Sequence, residues 1–139
     1  MDDSEGNGAI TAYIAKNSYN RHQTGFAMDS TTLHIGCSDN RNFIFFDFDV
    51  NLKNDKKAKH NVEYQLDEGK ARKAKWELSA NLKAVMARDP EALLADLLKG
   101  GEISIRVQRD DDSEYIRSSF NISDLGEAFG FVRENCKWR

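Results

Sequence analysis

The segment TLHIGCSDNRNFIFFDFDV, residues 32–50, is the most informative run in the chain. Its opening alternates, placing Leu33, Ile35 and Cys37 on one side of an extended strand. Ser38-Asp39-Asn40-Arg41 is turn chemistry, so the chain is expected to reverse there into a second strand over residues 42–50. That strand turns Ile44, Phe46, Phe48 and Val50 to one face, while its other face runs Phe43, Phe45, Asp47, Asp49, apolar first and then wet. A hairpin with one wholly apolar face cannot stand alone. It needs a second layer to cover that face.

The rest of the chain supplies that layer. Ala9 to Ala15 is rich in β-branched and aromatic residues and reads as a strand, after a solvated lead-in over residues 1–8. Residues 17–30 are polar and read as a loop or a weak hairpin arm, and Lys53 to His60 as a charged, flexible connection. Val62, Tyr64 and Leu66 alternate with polar residues up to the turn Asp67-Glu68-Gly69, and Ala74, Trp76 and Leu78 do so within the strand from Arg72 to Ser79. Asp89-Pro90-Glu91 is a helix start, with an N-cap acid, proline at the first helical position and an acid in the first turn. This helix carries Leu93, Leu94, Leu97 and Leu98 and stops at Gly100-Gly101. Ile103, Ile105 and Val107 mark a strand, Asp110-Asp111-Asp112-Ser113 a tight turn, and Tyr115 to Ile122 the returning arm. Ser123 or Asp124, the latter with Glu127 three residues on, opens a last helix whose apolar stripe is Leu125, Ala128, Phe129 and Val132. The expectation is a single α+β domain over residues 1–139: an antiparallel β sandwich or half-barrel of about seven strands with two short helices packed on it, the last at the C-terminus.

Composition narrows the function classes. The 139 residues are 40% hydrophobic and 31% charged with a formal charge of −3, which gives no global pull toward nucleic acid or anionic lipid, and no apolar run approaches the length of a membrane span. Met1-Asp2-Asp3-Ser4 lacks the cationic and apolar regions of a signal peptide. The chain is therefore either cytosolic or a mature exported domain whose leader is missing.

The two cysteines bear on that choice. Continuing the last helix's stripe four residues beyond Val132 reaches Cys136, and Cys37 shares its strand face with Leu33 and Ile35. Both point into one small core, where they form either a disulfide or two unbonded small hydrophobes. A bridge would close a loop of roughly a hundred residues, worth on the order of 4 to 5 kcal/mol at most in the chain-entropy model. A nucleophilic role fits poorly, because the C-terminal end of a helix disfavours a thiolate. Zinc binding by His34 and Cys37 fails on geometry, since strand positions three apart face opposite ways.

With these elements placed, the chain resembles the type VI secretion-associated TagO/VasI family, which includes prophage-borne relatives. Trp76-Glu77-Leu78-Ser79, Asp89-Pro90 and its leucine-rich helix, Ile103-Ser104-Ile105-Arg106-Val107, Phe120-Asn121-Ile122-Ser123-Asp124-Leu125 and Cys136-Lys137-Trp138 follow that family's order and spacing. Asp2-Asp3-Ser4 and His34-Ile35-Gly36-Cys37 match it more loosely. Asp124 stands where the family has glycine, Gly36 where it has arginine, and Met86-Ala87-Arg88 where it approaches the Asp-Pro pair with an aromatic. The general plan is also similar to that of invasion-associated envelope proteins. The resemblance implies a periplasmic accessory domain, a disulfide between Cys37 and Cys136, a protein partner in the envelope, and no catalytic activity.

Other candidates have plainer readings. Asp47 and Asp49 could pair as carboxylates or bind calcium with Asn51, but no glycine-turned loop wraps them, and they read as the wet end of a sheet face. The basic residues Lys53, Lys56, Lys57, Lys59, Lys70, Arg72, Lys73 and Lys75 are diluted by Asp55, Glu63, Asp67 and Glu68, and read as a solvated hairpin rather than a phosphate site. Asn121-Ile122-Ser123 is a glycosylation sequon by pattern only. Trp76 is core. Trp138, flanked by Lys137 and Arg139, either caps the core edge or forms a docking spot. No cofactor, metal or nucleic-acid partner is expected, and membrane contact only through an anchor outside this chain. The runners-up are a cytosolic or phage-borne binding module with reduced cysteines, and a small metal-dependent hydrolase built on Asp47 and Asp49.

Overall fold

In a computed structural model, residues 10–18, 31–38, 41–49, 52, 60–108 and 115–136 are described. In chain order the elements are β1 (Ile10–Asn17), β2 (Thr32–Ser38), β3 (Arg41–Asp47), β4 (His60–Leu66), β5 (Arg72–Leu78), β6 (Ala84–Met86), α1 (Pro90–Leu97), β7 (Glu102–Gln108), β8 (Tyr115–Asn121) and α2 (Leu125–Asn135). The eight strands form one antiparallel sheet in the order β1-β2-β3-β6-β5-β4-β7-β8, so the α+β expectation holds with one strand more than the sequence suggested.

The hairpin of residues 32–50 is its centre. Leu33 pairs with Phe46 and Ile35 with Ile44, and all four are buried. β3 stops at Asp47 rather than running on to Val50, for a local reason. Asp49 adopts a positive φ of 60° and gives its N–H to the Asp47 carboxylate at 2.9 Å, which turns the chain. Phe48 still points inward, held by its N–H to Lys83 O at 2.9 Å. Val50, Asn51, the polar run after Ser18, the lysines between 53 and 59, and the acidic turn at 110–113 lie outside the described residues. His60, expected at the end of that lysine-rich connection, is instead the first residue of β4.

The extra strand is β6, whose Ala84, Val85 and Met86 are too few to show an alternation. A side-chain scaffold builds it. Ser79 Oγ donates to Asn81 Oδ1, which also accepts the Lys83 N–H, and Ala84 N–H donates to Ser79 Oγ. Leu82 sits at φ 65° to close the turn. β6 then bridges β3 and β5.

The sheet curls until its far strands face each other. Phe46 of β3 lies 5.6 Å, ring to ring, from Phe120 of β8, and the Ser118 hydroxyl donates to Thr31 Oγ1 at 2.9 Å across the buried gap. One sheet thereby makes both layers, and α1 and α2 fill the interior with Leu93, Leu94, Leu97, Leu125, Phe129 and Val132. Ala128, expected in that stripe, is exposed, because the buried arc of α2 is narrow.

Candidate functional site

The terminal helix meets the first two strands at a covalent clasp. Cys37, near the end of β2, is bonded to Cys136, with 5.8 Å between their Cα atoms and a sequence separation of 99. Cys136 N–H closes the last turn of α2 on Val132 O at 2.8 Å, and its sulfur lies 3.9 Å from Ala12 O of β1. At its other end α2 departs from the expected capping box. Asp124 is the N-cap but makes no side-chain cap; its carboxylate instead takes Lys16 Nζ of β1 at 2.8 Å. That pairing draws the Asp124 carboxyl below its ordinary value of 3.8.

The outward face of β1, β2 and β3 carries an aromatic row. Tyr13, 46% exposed, stands 5.9 Å from His34, whose ring stacks on Phe45 at 4.5 Å, and Phe43 follows at 5.6 Å from Phe45. Gly36 lies in register between Tyr13 and Phe43. A Cβ there would collide with Ala12 O and the Tyr13 Cβ, so only glycine lets β1 press this closely on β2. The His34 Nε2 is 3.0 Å from Thr32 Oγ1, and burial holds its imidazole below the ordinary 6.5, with Asp47 opposing the shift. In sequence the phenylalanines of this face show only as apolar. Their joining to Tyr13 and His34 depends on cross-strand register, which alternation within a single strand does not carry.

The carboxylates Asp47 and Asp49 fall together but form a turn, with the Asp47 oxygen engaged by the Asp49 backbone. Among the described residues no group of three His, Cys, Asp or Glu side chains gathers as a metal set. Lys137, Trp138 and Arg139 lie outside the described residues. Trp76 is 5% exposed, between Phe46 at 6.2 Å and Tyr64 at 5.6 Å, as a core residue should be.

The basic residues of β5 do converge with others. Lys73 and Lys75 line an open depression of about 750 Å³ with Arg88 and Arg106. Arg106 is paired to Glu63 at 2.6 Å. Arg88, just before α1, and Arg106, on β7, are far from the lysine run in sequence; only the strand order β5-β4-β7 and the turn out of β6 bring them there. No helix among the described residues is long and apolar enough to cross a membrane. Set against protein-family models, curated proteins and solved structures, the chain matches none of them.

Proposed function

We propose that this chain is an exported, disulfide-clasped domain that acts by binding another protein of the cell envelope rather than by catalysis. The single observation that carries the reading is the Cys37–Cys136 bond, since a disulfide between two core-facing positions persists in oxidising compartments and is rare where thiols are kept reduced. The aromatic row of Tyr13, His34, Phe45 and Phe43 supports the binding half, because partly exposed aromatics are enriched where proteins meet. The engagement of Asp47 by its own turn argues against the hydrolase alternative. The finer assignment, accessory to a type VI secretion apparatus, is an inference from the motif resemblance, with Trp138, Lys137 and Arg139 as further contact residues.

Two measurements test this. Thiol alkylation of protein taken from its native cells should find neither cysteine free; two alkylatable thiols would move the protein to the cytosolic or phage-borne alternative. A photo-cross-linker placed at Tyr13 should capture a discrete envelope protein that the same group at the exposed Lys70 does not. Equal yields from both positions would remove the aromatic face from the proposal.

A further inference from the structure

The sheet has an open edge in its interior. β5 pairs with β4 along Arg72–Trp76, but on its other side β6 covers only Glu77 and Leu78. Past Met86 the chain leaves β5, and Ala87 N–H goes to Ile44 O of β3 at 2.8 Å. The phase of β5 is fixed where the Ser79 N–H meets Ala84 O at 2.9 Å. Backbone groups two residues apart on a strand point to the same side, so Lys75 and Lys73 aim their N–H and C=O at the uncovered edge. Among the described residues no backbone group pairs with them there.

The surroundings of this edge are specific. Two depressions flank it, and Trp76 and Arg88 line both. On the outward side, about 750 Å³ is bounded by Lys73, Lys75, Arg88 and Arg106. On the inward side, about 510 Å³ is bounded by Tyr64, Trp76, Ala87, Ala92 and Leu93, with Arg72 tied to Asp96 at 2.8 Å. Of the nearby acids, Glu63 is committed to Arg106, Asp96 to Arg72 and Asp89 to the Ala92 N–H, while Glu77 shares the outward face of β5 two residues beyond Lys75. Lys73, Lys75 and Arg88 have no ion pair among the described residues. A chain of net charge −3 thus gathers three cations around one short run of backbone that no described residue pairs.

We propose that the β5 edge at Lys73 and Lys75 receives an extended acidic segment of another protein, which adds to the sheet as a strand. Backbone hydrogen bonds to these two residues supply the attachment, and alternate side chains supply the selection. Residues of the incoming strand that face outward meet Lys73, Lys75 and Arg88 and are acidic; the residue between them faces Trp76 and Tyr64 and is apolar. The recognised pattern is therefore acid, apolar, acid over about three residues. A nucleic acid fits less well, because Trp76, the aromatic that lines both depressions, is 5% exposed and offers no stacking platform. The site does not depend on export, since neither Cys37 nor Cys136 lines it.

The experiment titrates the whole oxidised chain with a fluorescent peptide of alternating Asp and Val, beside the same peptide N-methylated on alternate amides and a single-stranded oligonucleotide. The expected result is saturable binding of the first peptide, slowed hydrogen exchange at the Lys73 and Lys75 amides on saturation, and at least tenfold weaker binding to the methylated peptide. Lys73→Glu with Lys75→Glu should weaken binding by a similar factor. Should that variant fail to fold, the exchange and methylation results on the native chain decide alone. The proposal is overturned by equal binding of the methylated peptide, by tighter binding of the oligonucleotide, or by protection elsewhere. It is equally overturned if the two amides are already protected in the free chain and become exposed on dilution, which makes a second copy the occupant, or on removal of residues 1–8, which makes the chain's own acidic start the occupant.

Discussion

Helix α1 carries its own signals, while α2 borrows its order from the strands beside it. In α1, Asp89 accepts the Ala92 N–H at 3.2 Å, Pro90 presets the first turn, and three leucines, Leu93, Leu94 and Leu97, are buried. Its end closes on itself, the Leu98 N–H returning to Leu94 O at 2.9 Å. Only beyond the helix does the Asp67 carboxylate take the Gly101 and Glu102 N–H groups at 3.0 Å and lead the chain into β7. In α2, by contrast, the N-cap side chain makes no cap, Gly126 lies in the first turn and Gly130 in the interior, and the two ends are fastened to β1 and β2 by Lys16 and by Cys37. Both helices bury three large apolar side chains in the same core. Equal burial can thus be reached from local or from distant restraints, and the two respond differently to perturbation.

The strongest way to break this contrast is to remove the clasp. Cys37→Ser with Cys136→Ser should lower stability by up to about 4 to 5 kcal/mol in denaturant melts. Hydrogen exchange should lose more protection over residues 130–136 than in β7 and α1. Equal loss in both helices would mean that the bond acts through the unfolded chain alone. Next in size, Gly126→Ala with Gly130→Ala should raise stability by about 1 to 2 kcal/mol, since a Cβ at either position meets nothing within 4 Å. The gain should appear as added protection in α2 only. On the other helix, Asp89→Ala should cost about 1 kcal/mol by orphaning the Ala92 N–H, and its effect on exchange should stay within α1.

The smallest effect is electrostatic. The Asp124 carboxyl is held below 3.8 by Lys16, so the unfolded chain takes up its proton at a higher pH than the folded chain does. The contribution of the pair is therefore complete above 3.8 and is lost as pH falls from there through the lower folded value. Lys16→Met should flatten the stability profile across that acid window and change little at neutral pH, where an exposed pair contributes little. A large loss at neutral pH would mean that Lys16 positions β1 by packing.

The same contrast explains what was legible in the sequence. The central hairpin and α1 are written in neighbouring residues: Leu33, Ile35, Ile44 and Phe46 alternate, and Asp89-Pro90 announces its helix. The cysteines could each be placed on a buried face by periodicity, but that Cys37 and Cys136 share one spot is a property of the curled sheet. β6 was missed because its three residues are held by Ser79 and Asn81 rather than by a pattern of their own. Asp124 looked like a cap because nothing local reveals that Lys16, 108 residues earlier, stands beside it. The aromatic row and the cationic notch at β5 were likewise invisible, since each is assembled from strands that only the pairing order makes neighbours.

The position of the bond has a mechanical meaning. Residues 37 and 136 enclose β3 to β8 and both helices in one covalent ring, with β1 and most of β2 outside. A pull applied at the two ends of the oxidised chain would pass through the sulfurs and bypass that ring. β1 would peel from β2 and β2 from β3, while the covalent backbone of the ring beyond would carry no load. Such a chain also cannot be drawn through a narrow pore as a single thread; it would have to enter as a doubled loop. Closing the clasp therefore acts as a ratchet, after which unthreading from either end requires a reductant first.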